Sequence, residues 1–241
     1  MIATSGTLLG GRVAYAQPAS GFRSGIEPVL LAAAIPARPG ARVLEAGTGA
    51  GAALLCLAAR VPGIVGTGVE RDAALAALAT ANATANGFAT LHIVAGEIGS
   101  HMPDHPADHA FANPPYHPPG STASPDTARE TSKRAAPGLI AAWAEALARC
   151  VAPRGSVTLI LPAGAVPEAL ASLATARCGG ARLLPFWPKS GRAAKLVLLQ
   201  ARKDSRAVFA VLPGLVLHRD DGSFTAETEA ILRDGAALPL D

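Results

Sequence analysis

Arg42-Val43-Leu44-Glu45-Ala46 runs directly into Gly47-Thr48-Gly49-Ala50-Gly51, and an Ala/Leu-rich stretch from Ala52 to Arg60 follows at once. Strand, glycine turn and helix in that order form the unit that aims backbone N–H groups and the positive end of a helix dipole at a nucleotide-like ligand. The next strand, Ile64 to Val69, ends in Glu70, and an acid at that tip can accept both hydroxyls of a ribose. Together the two features read as an adenosine-binding half. Two classes of protein satisfy them at this point. Gly47-x-Gly49-x-x-Ala52 followed by Glu70 also fits the fingerprint of a dinucleotide-dependent oxidoreductase, and a non-catalytic binder of an adenosine ligand needs nothing more.

The alternation continues along the chain. A helix is expected from about Asp72 to Ala85, closed by Asn86-Gly87, then a strand from Leu91 to Ala95 leading into Gly96-Glu97-Ile98. At that third strand end Glu97 can reach an adenine amino group, with Ile98 packed on the ring. Strand Ala110-Phe111-Ala112, helix Leu139 to Cys150, strand Ser156 to Leu161 and helix Val166 to Ala176 follow. Two last strands, Ala181 to Phe186 and Ala194 to Gln200, are joined by a basic turn holding Lys189, Arg192 and Lys195, and so close a join predicts antiparallel pairing. Small additions flank this α/β core. Before it come a hairpin over residues 8–17, turning at Gly10-Gly11, and a helix opening at Glu27-Pro28 and running to about Ala34. After it come a second hairpin-like piece, Leu215 to Phe224 with Asp221-Gly222 at the turn, and a helix beginning near Thr225. The 241 residues suit one domain, with residues 1–40 and 201–241 added to a sheet core at 41–200.

Asn113-Pro114-Pro115-Tyr116 follows the strand at Ala110, so it falls at the carboxyl end of a buried strand, where open α/β sheets place their ligands. Two prolines fix φ twice and remove two donors, leaving the Asn113 amide and the Pro114 carbonyl in a stiff acceptor-rich turn. That pair suits a planar amine, and Tyr116 adds an aromatic face for stacking. Hydride transfer has no use for such a clamp. The polar segment from His117 to Ala136 exceeds ordinary loop length and reads as a substrate loop, with Arg129, Lys133 and Arg134 at its end as phosphate contacts alongside Lys189, Arg192 and Lys195.

Composition narrows the classes further. The net charge of +3 permits a nucleic-acid partner without requiring one. The apolar run Val29 to Ile35 is too short for a bilayer, and Met1 to Leu9 lacks a signal-peptide pattern, so a cytoplasmic protein with no membrane partner is expected. Cys56, Cys150 and Cys178 are scattered, without metal spacing, and read as packing residues. His101, His105 and His109 have helical metal spacing, but Pro103 and Pro106 break that helix, so a loop and no metal are expected.

Glu45-Ala-Gly47-Thr-Gly49-Ala-Gly51, Glu70 and Asn113-Pro-Pro-Tyr116, in this order, resemble the class I S-adenosylmethionine-dependent N-methyltransferases with an NPPY motif. The stretch from Gln17 to Leu31 and the ending from Leu215 to Glu227 are similar to the bacterial tRNA(Val) adenine-N6 methyltransferases. The resemblance implies a Rossmann-like, seven-stranded, mostly parallel sheet with an antiparallel last strand and helices on both faces. It implies S-adenosylmethionine as cofactor and an RNA substrate, tRNA above all, methylated on an exocyclic amine, adenine N6 foremost; guanine N2 and protein glutamine N5 are the alternatives. The glutamine alternative is disfavoured because about forty residues precede the first sheet strand, too few for a separate substrate domain. By the same resemblance Glu45, Gly47, Thr48, Gly49 and Gly51 hold the methionine half of the cofactor and Glu70, with Arg71 beside it, the ribose. Glu97 and Ile98 frame the adenine, Arg23 and Asn113 complete the cofactor contacts, and Asn113, Pro114 and Tyr116 are catalytic. Glu97 stands where the wider family often has Asp, and Ser24-Gly25-Ile26-Glu27 where the tRNA enzymes tend to have Gly-Thr-Asp.

Overall fold

The computed structural model describes residues 2–19, 25–115 and 138–240. Strands β3 (Arg42–Ala46), β4 (Val65–Glu70), β5 (Leu91–Ala95), β6 (Ala107–Ala112), β7 (Val151–Pro162), β8 (Cys178–Trp187) and β9 (Leu196–Lys203) form the main sheet, in the spatial order β8-β9-β7-β6-β3-β4-β5. Pairing is parallel from β5 to β7, while β9 runs antiparallel to both β7 and β8. This is the expected seven-stranded sheet with its last strand reversed. Two two-residue strands, β10 (Ala210–Val211) and β11 (Leu215–Val216), extend it by pairing parallel to β8. The expected hairpin from Leu215 therefore shrinks to a turn in which His218 faces Phe224 and Arg219 N donates to Ser223 O at 2.8 Å. Leu215 and Val216 are drawn to the sheet instead, because β8 would otherwise present an open row of backbone groups.

Six helices lie among the described residues: α1 (Glu27–Ala34), α2 (Ala52–Arg60), α3 (Ala73–Ala85), α4 (Leu139–Cys150), α5 (Val166–Thr175) and α6 (Ala226–Asp234). Apolar residues collect on both faces of the sheet, with α1, α2 and α6 on one side and α4 and α5 on the other. Strand β6 shows how the sequence serves both layers. Phe111 is fully buried on the α1/α2 side while Ala110 and Ala112 pack under α4, so a short continuous apolar run is what a doubly covered strand requires. Local signals set the helix ends. Asp72 Oδ1 accepts from Ala74 N and Leu75 N at 2.8 and 3.1 Å and starts α3, and Thr225 caps α6, which Gly235 ends at φ 64°. Helix α1 ends on the guanidinium of Arg60, whose Nη2 donates to Ala32 O and Ile35 O at 3.0 and 2.5 Å.

Strands β1 (Ala3–Leu8) and β2 (Val13–Pro18) make the separate N-terminal hairpin, with a short helical turn at Leu9–Gly11. Its β2 edge is held by two asparagines of α3. Asn86 accepts from Ala14 N and donates to Ala14 O at 2.8 and 2.7 Å, and Asn82 does the same to Ala16 at 3.0 and 2.8 Å. Asn82 Nδ2 also donates to Ala50 O at 2.9 Å, which ties the hairpin to the glycine turn.

Candidate active site

Neighbouring registers bring four strand ends to one edge. Ala46 lies opposite Val69 and Ala112, and Glu70 lies opposite Ala95. The chain leaves β3 toward β4 and β5, then returns to β6 on its other side, so the crevice at this carboxyl edge is a topological switch point.

The turn from Gly47 to Gly51 is built so that only glycine fits at its alternate positions, with φ values of 63°, 57° and 93° at Gly47, Gly49 and Gly51. Gly47 N and Thr48 N donate to Val69 O at 2.8 and 3.1 Å, locking the turn to β4. Glu45 holds it from below. Its carboxylate, 4% exposed, accepts from Thr48 Oγ1 at 2.6 Å and from Leu54 N at 3.1 Å. Burial, partly opposed by those two bonds and reinforced by Glu70, pushes the Glu45 carboxyl up to about 8, so it carries a proton at neutral pH. Glu70 grips the same turn from the side, accepting from Gly49 N and Asp72 N at 2.9 Å each, one bond to each oxygen. Two accepted bonds leave a carboxylate with about two further lone-pair directions.

These residues fit a bound S-adenosylmethionine. A side chain placed on Gly49 would meet nothing within 4 Å, so the turn faces open space, and α2 begins at Gly51 without a side-chain cap, leaving its first amides for a ligand. Glu97 is exposed just beyond β5, whereas Ile98 is buried with Ala107 and Leu147 beneath α4. Arg71 is exposed next to Glu70.

At the end of β6, Asn113 is half-buried and Pro114 buried. The Asn113 side chain makes no hydrogen bond among the described residues, so its amide is available to a ligand. Tyr116, Arg23, Arg129, Lys133 and Arg134 lie outside the described residues. Lys189, Arg192 and Lys195 occupy the β8–β9 turn, at the same edge as Asn113, two to three strands away, or roughly 10–15 Å at the usual strand spacing. Lys189 Nζ donates to Asp220 O at 2.9 Å, while Arg192 and Lys195 are exposed.

Sequence reasoning did not find Trp143. Its ring, on the first turns of α4, stands so close against Gly47 that a Cβ on that glycine would overlap Trp143 Cη2. Trp143 is one of only two tryptophans, and its large ring in an otherwise Ala-rich stretch was the available signal. The asparagine grip on β2 was also unforeseen, since Asn86 read only as part of the helix end and Asn82 carried no signal of its own. Of the histidines, His101 and His105 lie in the loop that precedes β6, and His109 is on β6, where burial lowers it to about 4. No group of three or more metal-binding side chains occurs among the described residues. The three cysteines are buried in the core. No helix among the described residues is long and apolar enough to cross a membrane.

A family model described as "Methyltransferase small domain" matches residues 26–141. A tRNA1(Val) (adenine(37)-N6)-methyltransferase of Dickeya chrysanthemi is 27% identical over 224 residues, covering 88% of this chain and 87% of that protein. A protein of the same name from Tolumonas auensis is 32% identical over 183 residues, covering 74% and 75%. Among solved structures, a predicted O-methyltransferase from Agrobacterium tumefaciens superposes with a TM-score of 0.72 at 24% identity, over 88% of this chain and 98% of that one, and has the same fold.

Proposed function

The chain belongs to the class I S-adenosylmethionine-dependent methyltransferases, in the family of these two curated relatives, and on that premise we propose that it methylates the exocyclic N6 amine of an adenine in tRNA. The observation that carries the proposal is the placement of Asn113 and Pro114 at the end of β6, beside the glycine turn at the end of β3. When bound, S-adenosylmethionine supplies an electrophilic methyl group on a sulfonium. The protein does the rest by position and electrostatics.

In this reading Glu70 uses its free lone pairs for the ribose hydroxyls, while the Gly49 amide keeps that side chain aimed. Glu45, already protonated, adds no second negative charge and serves to hold the turn's shape. Trp143 packs against Gly47 and fixes one wall of the turn. The Asn113 carbonyl oxygen and the Pro114 carbonyl accept hydrogen bonds from the substrate amine, whose lone pair is otherwise delocalised into its ring. Those bonds strengthen as the nitrogen becomes tetrahedral and positive, so they favour the transition state over the ground state. Pro115 has no N–H to compete for the same acceptors. Tyr116 stacks on the base, and Lys189, Arg192 and Lys195, on the same edge, meet RNA phosphates. The names of the two relatives support adenine N6 over other amines. Incubating the protein with labelled S-adenosylmethionine and unmodified tRNA, then digesting to nucleosides, tests it by mass. Label in N6-methyladenosine is expected; label in a guanosine, or in protein alone, would reject the adenine assignment.

A further inference from the structure

A second concave site lies at the opposite, amino edge of the sheet. It is a cleft of about 760 Å³, within the range of small-ligand sites, and among the described residues Arg38, Arg60, Arg154, Arg182 and Arg202 line it with Asp108 as their one acidic neighbour. Five arginines against one aspartate give a local excess of four positive charges, more than the +3 of the whole chain. We propose that this cleft is an anion site that takes phosphate groups, from an RNA backbone or from a free nucleotide.

The arginines come from five different places in the fold: the loop before β3, the end of α2, the start of β7, and strands β8 and β9. Their meeting is therefore a product of tertiary structure and not of a basic run in the sequence. Arg182 lies opposite Gln200 in the β8–β9 pairing, and Arg202 is two residues further along the same strand, so both stand on the face that Gln200 shares with α1. Among the described residues none of the five makes an ion pair; those present involve Arg177 and Arg233. Asp108 offsets one of these charges and makes no ion pair with any of the five; its carboxylate accepts from Arg42 N at 2.8 Å. Like charges gathered in a concavity repel, and an anion removes that penalty. Two details favour a ligand over a merely solvated basic surface. Arg60 Nε is buried with no partner, although its Nη2 is fully used on α1, and buried donors are normally paired. Arg154, a residue with a Cβ, is held at φ 66° on the rim, a conformation that costs free energy and that such sites retain. Guanidinium groups match phosphate by paired N–H donors, and five converging forks suit a polyphosphate or two adjacent backbone phosphates.

The test uses the Arg182→Ser/Arg202→Ser double variant, because neither residue is buried and neither belongs to the methyl-transfer edge. Calorimetric titration with inorganic tripolyphosphate is run on wild type and variant, together with binding of an unmodified tRNA transcript over a series of salt concentrations; unchanged affinity for S-adenosylhomocysteine verifies the fold. We expect tripolyphosphate affinity to fall at least tenfold in the variant. A logarithmic salt slope for tRNA that drops by about two in the same variant assigns the phosphates to RNA backbone. An unaltered slope with abolished tripolyphosphate binding assigns them to a free nucleotide. If neither tripolyphosphate affinity nor the salt slope differs between the two proteins, the site does not exist. That result would leave the methyltransferase reading untouched, since it is judged on the labelled nucleoside.

Discussion

The two edges of the main sheet differ in construction and in how their charged groups are held. The carboxyl edge carries Glu45 and Glu70 around a turn of three left-handed glycines, and both acids are bonded to the turn they support. The amino edge carries five arginines, of which Arg60 is bonded to the end of α1 and none is ion-paired among the described residues. The lesson is that the fold itself prepares one edge. Strand ends, glycine amides and the amino end of α2 converge at the switch point whatever the side chains are, whereas the arginine cleft exists only through side chains that five separate elements happen to bring together.

If the carboxyl edge does the chemistry, removing the Asn113 amide should have the largest effect. Asn113→Ala is expected to lower single-turnover methylation by roughly 10²–10³ while leaving cofactor affinity and the melting temperature near wild type. A variant that methylates at the wild-type rate would reduce Asn113 to a turn residue. Next in size is Glu70→Ala, which removes both a ligand acceptor and the partner of Gly49 N. It should weaken S-adenosylhomocysteine binding by about 1–3 kcal/mol, read by titration. The matching change on the other edge, Arg202→Ser, should leave that affinity unchanged.

The buried carboxyl of Glu45 predicts a pH effect confined to the first edge. Its native pKa of about 8 lies above the ordinary value of 4.5, so the folded protein binds a proton that the unfolded chain releases between those two values. The resulting stability is complete below pH 4.5, is lost as pH rises, and is gone above about pH 8. Glu45→Gln, which keeps an acceptor for Thr48 and Leu54, should remove this slope. Melting temperatures of the two proteins should therefore diverge in favour of the variant between pH 5 and pH 8.5, by roughly 2–4 °C for each kcal/mol involved. Parallel curves would mean that Glu45 is ionised in the native state. Smallest is the substitution of Lys189, Arg192 and Lys195 by Ser, expected to lower the salt slope of tRNA binding by about one for each RNA phosphate the turn no longer neutralises. An unchanged slope would make that turn a solvated connection.

What the sequence revealed follows the same division. The strand–turn–helix at Arg42 to Arg60, the acid at Glu70 and the reversal of β9 were legible because each is set by neighbours in the chain: glycine spacing, a strand tip, a short join. Helix α4 runs over Leu139–Cys150 as its pattern predicts, with Gly138 in the left-handed conformation directly before it. Strand β7 begins at Val151, earlier than the expected Ser156, and its irregular start tolerates Pro153 and Gly155. Trp143 against Gly47, Asn82 and Asn86 on the edge of β2, and the arginine cleft could not be read. Each joins residues far apart in the chain, through packing that leaves no periodic trace.

The most direct test of the division is hydrogen exchange with and without S-adenosylhomocysteine. Binding at the carboxyl edge predicts slowed exchange in Gly47 to Ala53 and in Glu70 to Asp72, with no change in residues 36–41 and 152–155 at the amino edge. Protection of 36–41 and 152–155, with the glycine turn exchanging as in the free protein, would place the cofactor on the wrong side of the sheet and contradict the account.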